Sequence, residues 1–74
     1  MVKALKDAQA EASSIEYVNA HAPSTPIGDA SEIKALKQVF PDPQQVRVSS
    51  TKALTGHGLS LSSIMEASFC CLAL

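Results

Sequence analysis

The stretch from about Leu59 to Leu74 constrains this chain more than any other feature. Leu61, Ile64, Met65, Phe69, Leu72 and Leu74 recur at helical spacing, Ala67, Cys70, Cys71 and Ala73 cover the other sides, and Glu66 is the only charge. A helix that is apolar on nearly every side belongs inside a protein. The whole sequence has only 74 residues, and a chain of that size buries about 60% of its unfolded surface. Its remaining residues cannot readily enclose such a helix. Small chains usually compensate with disulfides or metals. Cys70 and Cys71 are adjacent and cannot bridge separate elements, and no Cys/His cluster has zinc-ligand spacing. No metal site is expected. The sequence therefore reads as a piece of something larger.

Charge and hydropathy exclude several classes. Six basic residues against seven acidic ones leave no basic footprint for nucleic acid. No apolar run reaches the roughly 18 residues of a membrane span. The opening Met1-Val-Lys-Ala-Leu-Lys-Asp-Ala is amphipathic and lacks the apolar core of a signal peptide. A reduced, soluble compartment is expected: the cytoplasm, or an organelle stroma or matrix in a eukaryote.

Along the chain, Val2, Leu5, Ala8 and Ala12 predict a helix from Val2 to about Ala12, with no N-cap residue before it and Ser13-Ser14 breaking the pattern. Ile15 to Ala20 alternates as a strand. His21 to Gly28 is a loop punctuated by Pro23, Pro26 and Gly28. Thr25 is placed to cap a helix before Pro26, and Asp29 with Glu32 fits a variant capping box. Ile33, Leu36 and Phe40 line one helix face, Lys34 and Lys37 point away, and Pro41-Asp-Pro43 stops the helix. Val46 to Ser50 is a second strand, Thr51 to Gly58 a loop, and the final helix starts near Leu59. The order helix-strand-helix-strand-helix predicts an α/β unit with parallel strands and a right-handed crossover.

Parallel strands end at one edge of their sheet, where open α/β sheets commonly bind ligands. His21 follows the first strand; Lys52 and His57 follow the second. Histidine donates hydrogen bonds, accepts protons or stabilises an oxyanion, and lysine supplies positive charge. Glu32 could orient or neutralise Lys52. The plainer readings make the histidines loop or cap residues, Glu32 a helix cap, and the cysteines buried packing residues. No nucleophile elbow and no glycine-rich phosphate loop is present.

Two motifs are more specific. Tyr17-Val-Asn-Ala-His21-Ala-Pro-Ser-Thr25-Pro-Ile-Gly-Asp29 resembles the first histidine motif of β-ketoacyl-[acyl-carrier-protein] synthases. Ser50-Thr-Lys52-Ala-Leu-Thr-Gly-His57 resembles their lysine and second histidine motif, and Glu32 matches a family glutamate. The resemblance covers essentially the whole chain. It implies a partial thiolase-like fold, with residues 1–74 a fragment of the C-terminal thiolase-like domain. It also implies decarboxylative Claisen condensation in fatty acid or polyketide synthesis. By position, His21 and His57 would stabilise the enolate of a malonyl thioester, Lys52 with Glu32 would organise charge around His21, and Thr25 would bond the phosphopantetheine arm. Partners would be acyl carrier protein and the remainder of the synthase, homodimeric at full length. Substrates would arrive on phosphopantetheine, with no resident cofactor.

The chain departs from the family pattern in three places. Ala22-Pro23 stands where the family has Gly-Thr, Ser60-Leu-Ser-Ser63 replaces small glycine-containing residues, and the nucleophilic cysteine is absent. The chain alone is therefore expected to be inactive. Two other readings compete: a non-catalytic module that binds a carrier protein or synthase subunit, and a truncated product without independent function. A plain thiolase fits less well, since both motifs look like the Cys-His-His synthase group.

Overall fold

The computed structural model describes residues 1–56 and 61–74. At its centre, β1 (Tyr17–Asn19) pairs in parallel with β2 (Arg47–Ser49) in the register Tyr17↔Arg47, Val18↔Val48 and Asn19↔Ser49. Backbone bonds extend the ladder by one step at each end, from Arg47 N to Glu16 O (3.0 Å) and from Ala20 N to Ser49 O (2.7 Å). Helix α2 (Pro26–Val39) makes the crossover that parallel pairing requires. The expected α/β order and parallel strands are present, though both strands are shorter than their sequence patterns.

Alternation along the strands puts Val18 and Val48 on one face and Tyr17, Asn19, Arg47 and Ser49 on the other. Val48 lines a cavity with Ile33 and Leu36 of α2. On the opposite face α4 (Ser62–Ala73) packs against β1. The start of this helix was expected near Leu59, which lies outside the described residues.

Helix α2 starts and stops for local reasons. Thr25 is its N-cap, and its Oγ1 accepts from Gly28 N at 3.2 Å. Pro26 occupies the first turn, where its missing N–H costs nothing, and Asp29 complements the positive end of the helix. A Cβ on Gly28 would collide with Thr25 Oγ1, so the cap requires glycine there. Phe40 closes the helix just before Pro41.

Helix α1 covers Val2–Asp7, not Val2 to Ala12. It ends because Gln9 adopts φ 53°. Ala10 N then reaches Leu5 O (3.0 Å) and Gln9 N reaches Lys6 O (3.1 Å), the bonding pattern of a Schellman C-cap. A short 3₁₀ turn, Ala12–Ser14, follows. The expected loop after β2 contains a further short helix, α3 (Lys52–Thr55), closed by Gly56 at φ 75°.

Among the described residues, only Ala20 and Phe40 are buried hydrophobics, and no large side chain is fully enclosed. The final helix forms, but it is not core. Ile64 is 66% exposed and Leu72 83%, and the helix's buried residue is Ser62. Cys71 is likewise exposed and Cys70 half-buried, so the expected cysteine packing is only partial. The accessible surface is 5768 Å², against about 4,400 Å² for a folded monomer of this mass. The difference exceeds the roughly 800 Å² that each partner hides in a standard interface. Two three-residue strands cannot supply a layer over both helices.

Candidate functional site

The parallel register sends two loops out of the same sheet edge. His21 lies two residues beyond Asn19, and Lys52 three beyond Ser49, its register partner. The expected convergence of these segments at one edge is thus present at the backbone level. His57 lies outside the described residues.

The loop after β1 is held by two carboxylates of α2. Glu32 Oε1 accepts from His21 N and Glu32 Oε2 from Ala22 N, both at 2.7 Å. Short bonds from amides to an ionised acceptor are the strong class. One turn earlier, Asp29 Oδ1 accepts from Ser24 N at 3.2 Å. These bonds sit where the backbone is strained: Ala22 has φ 33° and Ser24 φ 67°. Left-handed conformations cost a non-glycine residue roughly 1–2 kcal/mol, and the carboxylates offset that cost. Ala22 is thus a chiral residue in backbone space that suits glycine.

This arrangement corrects two expectations. Asp29 and Glu32 do not form a capping box; Thr25 caps α2, and both carboxylates reach back to the preceding loop. Nor does Glu32 partner Lys52. The Lys52 ammonium pairs with Glu66 of α4. Their side chains are 7% and 18% exposed respectively, so the pair is largely desolvated. It fixes the Lys52 amine against the second turn of α4 instead of against α2. The signal for Glu66 lay in the sequence as the single charge on an otherwise apolar helix.

Thr25 is exposed, and its oxygen accepts from Gly28 N. Its hydroxyl proton remains able to donate outward. The neighbouring Pro23 lies against the same turn, 3.5 Å from where a Cβ on Gly28 would sit.

A row of polar side chains to which the motifs gave no role lies across the α4 face of the sheet. Tyr17 Oη is 2.8 Å from Ser49 Oγ, and Asn19 Nδ2 donates to Tyr17 Oη at 3.2 Å. Asn19 Oδ1 is buried without a partner among the described residues.

The two cysteines lie elsewhere. Cys70 and Cys71 line a cavity of about 480 Å³ with Ile15, Glu16, Tyr17 and Arg47. Those residues mark the beginnings of both strands, so the thiols sit at the edge opposite His21 and Lys52. Three-residue strands separate the two edges by about 10 Å. Among the described residues, no group of three or more His, Cys, Asp or Glu side chains could hold a metal ion, and no helix is long and apolar enough to cross a membrane.

The sequence of the β-ketoacyl synthase C-terminal domain family matches residues 1–74. The chain is similar to 3-oxoacyl-[acyl-carrier-protein] synthase 2 of Staphylococcus aureus, at 43% identity over 75 aligned positions, covering 100% of this chain and 19% of that protein. It is also similar to the chloroplastic 3-oxoacyl-[acyl-carrier-protein] synthase I of Hordeum vulgare, at 43% identity over 63 positions, covering 85% of this chain and 14% of that protein. The chain spans less than a fifth of the length of these curated relatives. No solved structure matches it significantly.

Proposed function

Because this chain belongs to the β-ketoacyl synthase C-terminal domain family, which has a thiolase-like fold, we propose that it supplies the decarboxylation half of a condensing site in fatty acid or polyketide synthesis. The observation that carries this reading is the parallel β1/β2 register, which brings the His21 and Lys52 segments to one sheet edge. The substrate is a malonyl thioester carried on the phosphopantetheine arm of an acyl carrier protein, and the Thr25 hydroxyl donates a hydrogen bond to that arm. The chemistry draws on this arm instead of a resident cofactor.

In this mechanism His21 and His57 donate hydrogen bonds to the malonyl thioester oxygen. The bond to the carboxylate breaks, carbon dioxide leaves, and the electron pair forms an enolate whose charge the two donors stabilise. Preorganised donors of this kind contribute about 2.7–4 kcal/mol each. The enolate carbon attacks an acyl thioester held on a cysteine in the remainder of the synthase. A carbon–carbon bond forms, the carbon–sulfur bond breaks, and the thiolate leaves. Glu32 holds the His21 loop through its amides, and Glu66 holds Lys52, whose positive charge biases the field around the donors.

Neither Cys70 nor Cys71 serves as that nucleophile, since both sit at the opposite strand ends. The isolated chain therefore condenses nothing. The complete synthase works as a homodimer with acyl carrier protein, in the cytoplasm or an organelle stroma.

The test places these 74 residues in the matching segment of the S. aureus synthase and measures carbon dioxide release from malonyl-carrier protein. His21→Ala and His57→Ala should each lower the rate about 100- to 1,000-fold. Undiminished release in either variant would overturn the assignment of that donor.

A further inference from the structure

The polar row on the α4 face has a role that neither motif suggested. Each strand is only three residues long, so few ladder bonds define how β1 and β2 align. Apolar packing defines it weakly, because Val48 on the α2 face is 45% exposed. A slip of one residue would move the Lys52 segment about 3.3 Å along the His21 segment and turn every β2 side chain to the other face. Sites that depend on donor placement lose about 100-fold for misplacements near 1 Å. Something must therefore specify the register more sharply than the valines do.

We infer that Tyr17, Asn19 and Ser49 form a register lock that aligns the His21 and Lys52 segments. Tyr17 sits opposite Arg47, yet its hydroxyl reaches diagonally to Ser49 Oγ. Asn19, directly opposite Ser49, donates its amide to the same hydroxyl. The Tyr17 oxygen accepts from Asn19, and the Tyr17 and Ser49 hydroxyls share a second bond in which either can donate. The three side chains thus bond across one diagonal and close on both strands. A slip that brings Val48 opposite Asn19 leaves Tyr17 no hydroxyl across the diagonal, whereas the opposite slip would bring Ser50 there and is opposed instead by putting Ser49 in place of Val48 on the α2 face. Tyr17 and Ser49 are positioning residues: they touch no substrate and act through the placement of the two loops. This inference rests on the proposed site for its functional meaning, but the lock itself is a property of the 74-residue chain.

Amide hydrogen exchange on the full 74-residue chain tests it, read at Ala20 and Arg47, whose N–H groups bond to Ser49 O and Glu16 O at the two ends of the ladder. Both amides should be protected in the parent chain. Tyr17→Phe and Ser49→Ala should each speed exchange there about three- to tenfold, the range for loss of one hydrogen bond. Ser49→Thr should restore protection, because it keeps the hydroxyl. The amide of Phe40, bonded to Leu36 O in the α2 cap, should not change, which separates loss of the lock from general destabilisation. The His21 amide resonance should shift in the two disruptive variants and return in Ser49→Thr. Unprotected Ala20 and Arg47 amides in the parent would overturn the lock, as would parent-like exchange in Tyr17→Phe or failure of Ser49→Thr to rescue. None of these readouts requires catalysis, so the lock and the decarboxylation reading fail separately.

Discussion

Removing Glu66 should strongly destabilise the chain. The Lys52 side chain is 7% exposed and that of Glu66 18%. Glu66→Ala leaves the Lys52 ammonium largely buried with its carboxylate gone. Breaking a buried pair from one side costs about 3–5 kcal/mol. Partial access of Glu66 to water places this pair near the lower end, about 3 kcal/mol. Typical stabilities of 0.05–0.15 kcal/mol per residue give a chain of this length about 4–11 kcal/mol. With only Ala20 and Phe40 as buried hydrophobics among the described residues, the lower bound applies. Glu66→Ala should therefore remove most of the stability and lower the urea midpoint by about 2–3 M at a slope near 1 kcal/mol/M. The double variant Lys52→Met/Glu66→Leu should recover to within about 1 kcal/mol of the parent, since replacing both charges by apolar groups is often neutral. Urea titrations followed by far-ultraviolet circular dichroism give both values. A double variant as unstable as Glu66→Ala would refute the reasoning, as would a single variant indistinguishable from the parent.

Gly28→Ala should lose about 1 kcal/mol through the Thr25 cap, seen as a melting point lower by about 4–8 °C. Ala22→Gly should relieve the φ 33° strain and raise stability by about 1 kcal/mol in the same measurement; an unchanged or lower melting point would count against strain there. Gln9→Gly should stabilise by a similar amount through the left-handed C-cap of α1. Cys71, exposed, should react with an alkylating reagent faster than the half-buried Cys70, as resolved by peptide mass spectrometry; equal rates would contradict their different burial.

The legible parts of the fold were those with local causes. Thr25-Pro26 announces a helix start because a hydroxyl cap and a proline without N–H suit one another there. Pro41 announces its end. A helix between two strands announces parallel pairing, because the chain must cross back to the same end of the sheet. Gln9 gave no such warning: a non-glycine residue takes the left-handed position, with Gln9 N bonded to Lys6 O and Ala10 N to Leu5 O. The partners of the carboxylates were harder still. Glu32 satisfies both a cap pattern and a lysine-pairing pattern by spacing, and only the path of the loop turns it towards the amides of His21 and Ala22. Glu66 took Lys52 because α4 lies against β1 and α3 follows β2. The diagonal Tyr17–Ser49 bond depends on register, which strand alternation alone does not set.

The excess surface of the chain has the same origin as its functional reading. Helix α4 is apolar because such helices are normally covered, and here Ile64 and Leu72 are open. A surface of that kind fits the function proposed above, in which the donors sit on this segment and the thiol nucleophile on another.

The most direct test of that division is ketoacyl product formation from acyl- and malonyl-carrier protein. It should be run side by side on the isolated 74-residue chain and on the S. aureus synthase carrying these residues in its matching segment. The account predicts product from the synthase and none from the isolated chain, although the chain retains Cys70 and Cys71. Product from the isolated chain, or a folded synthase hybrid that forms none, would contradict it.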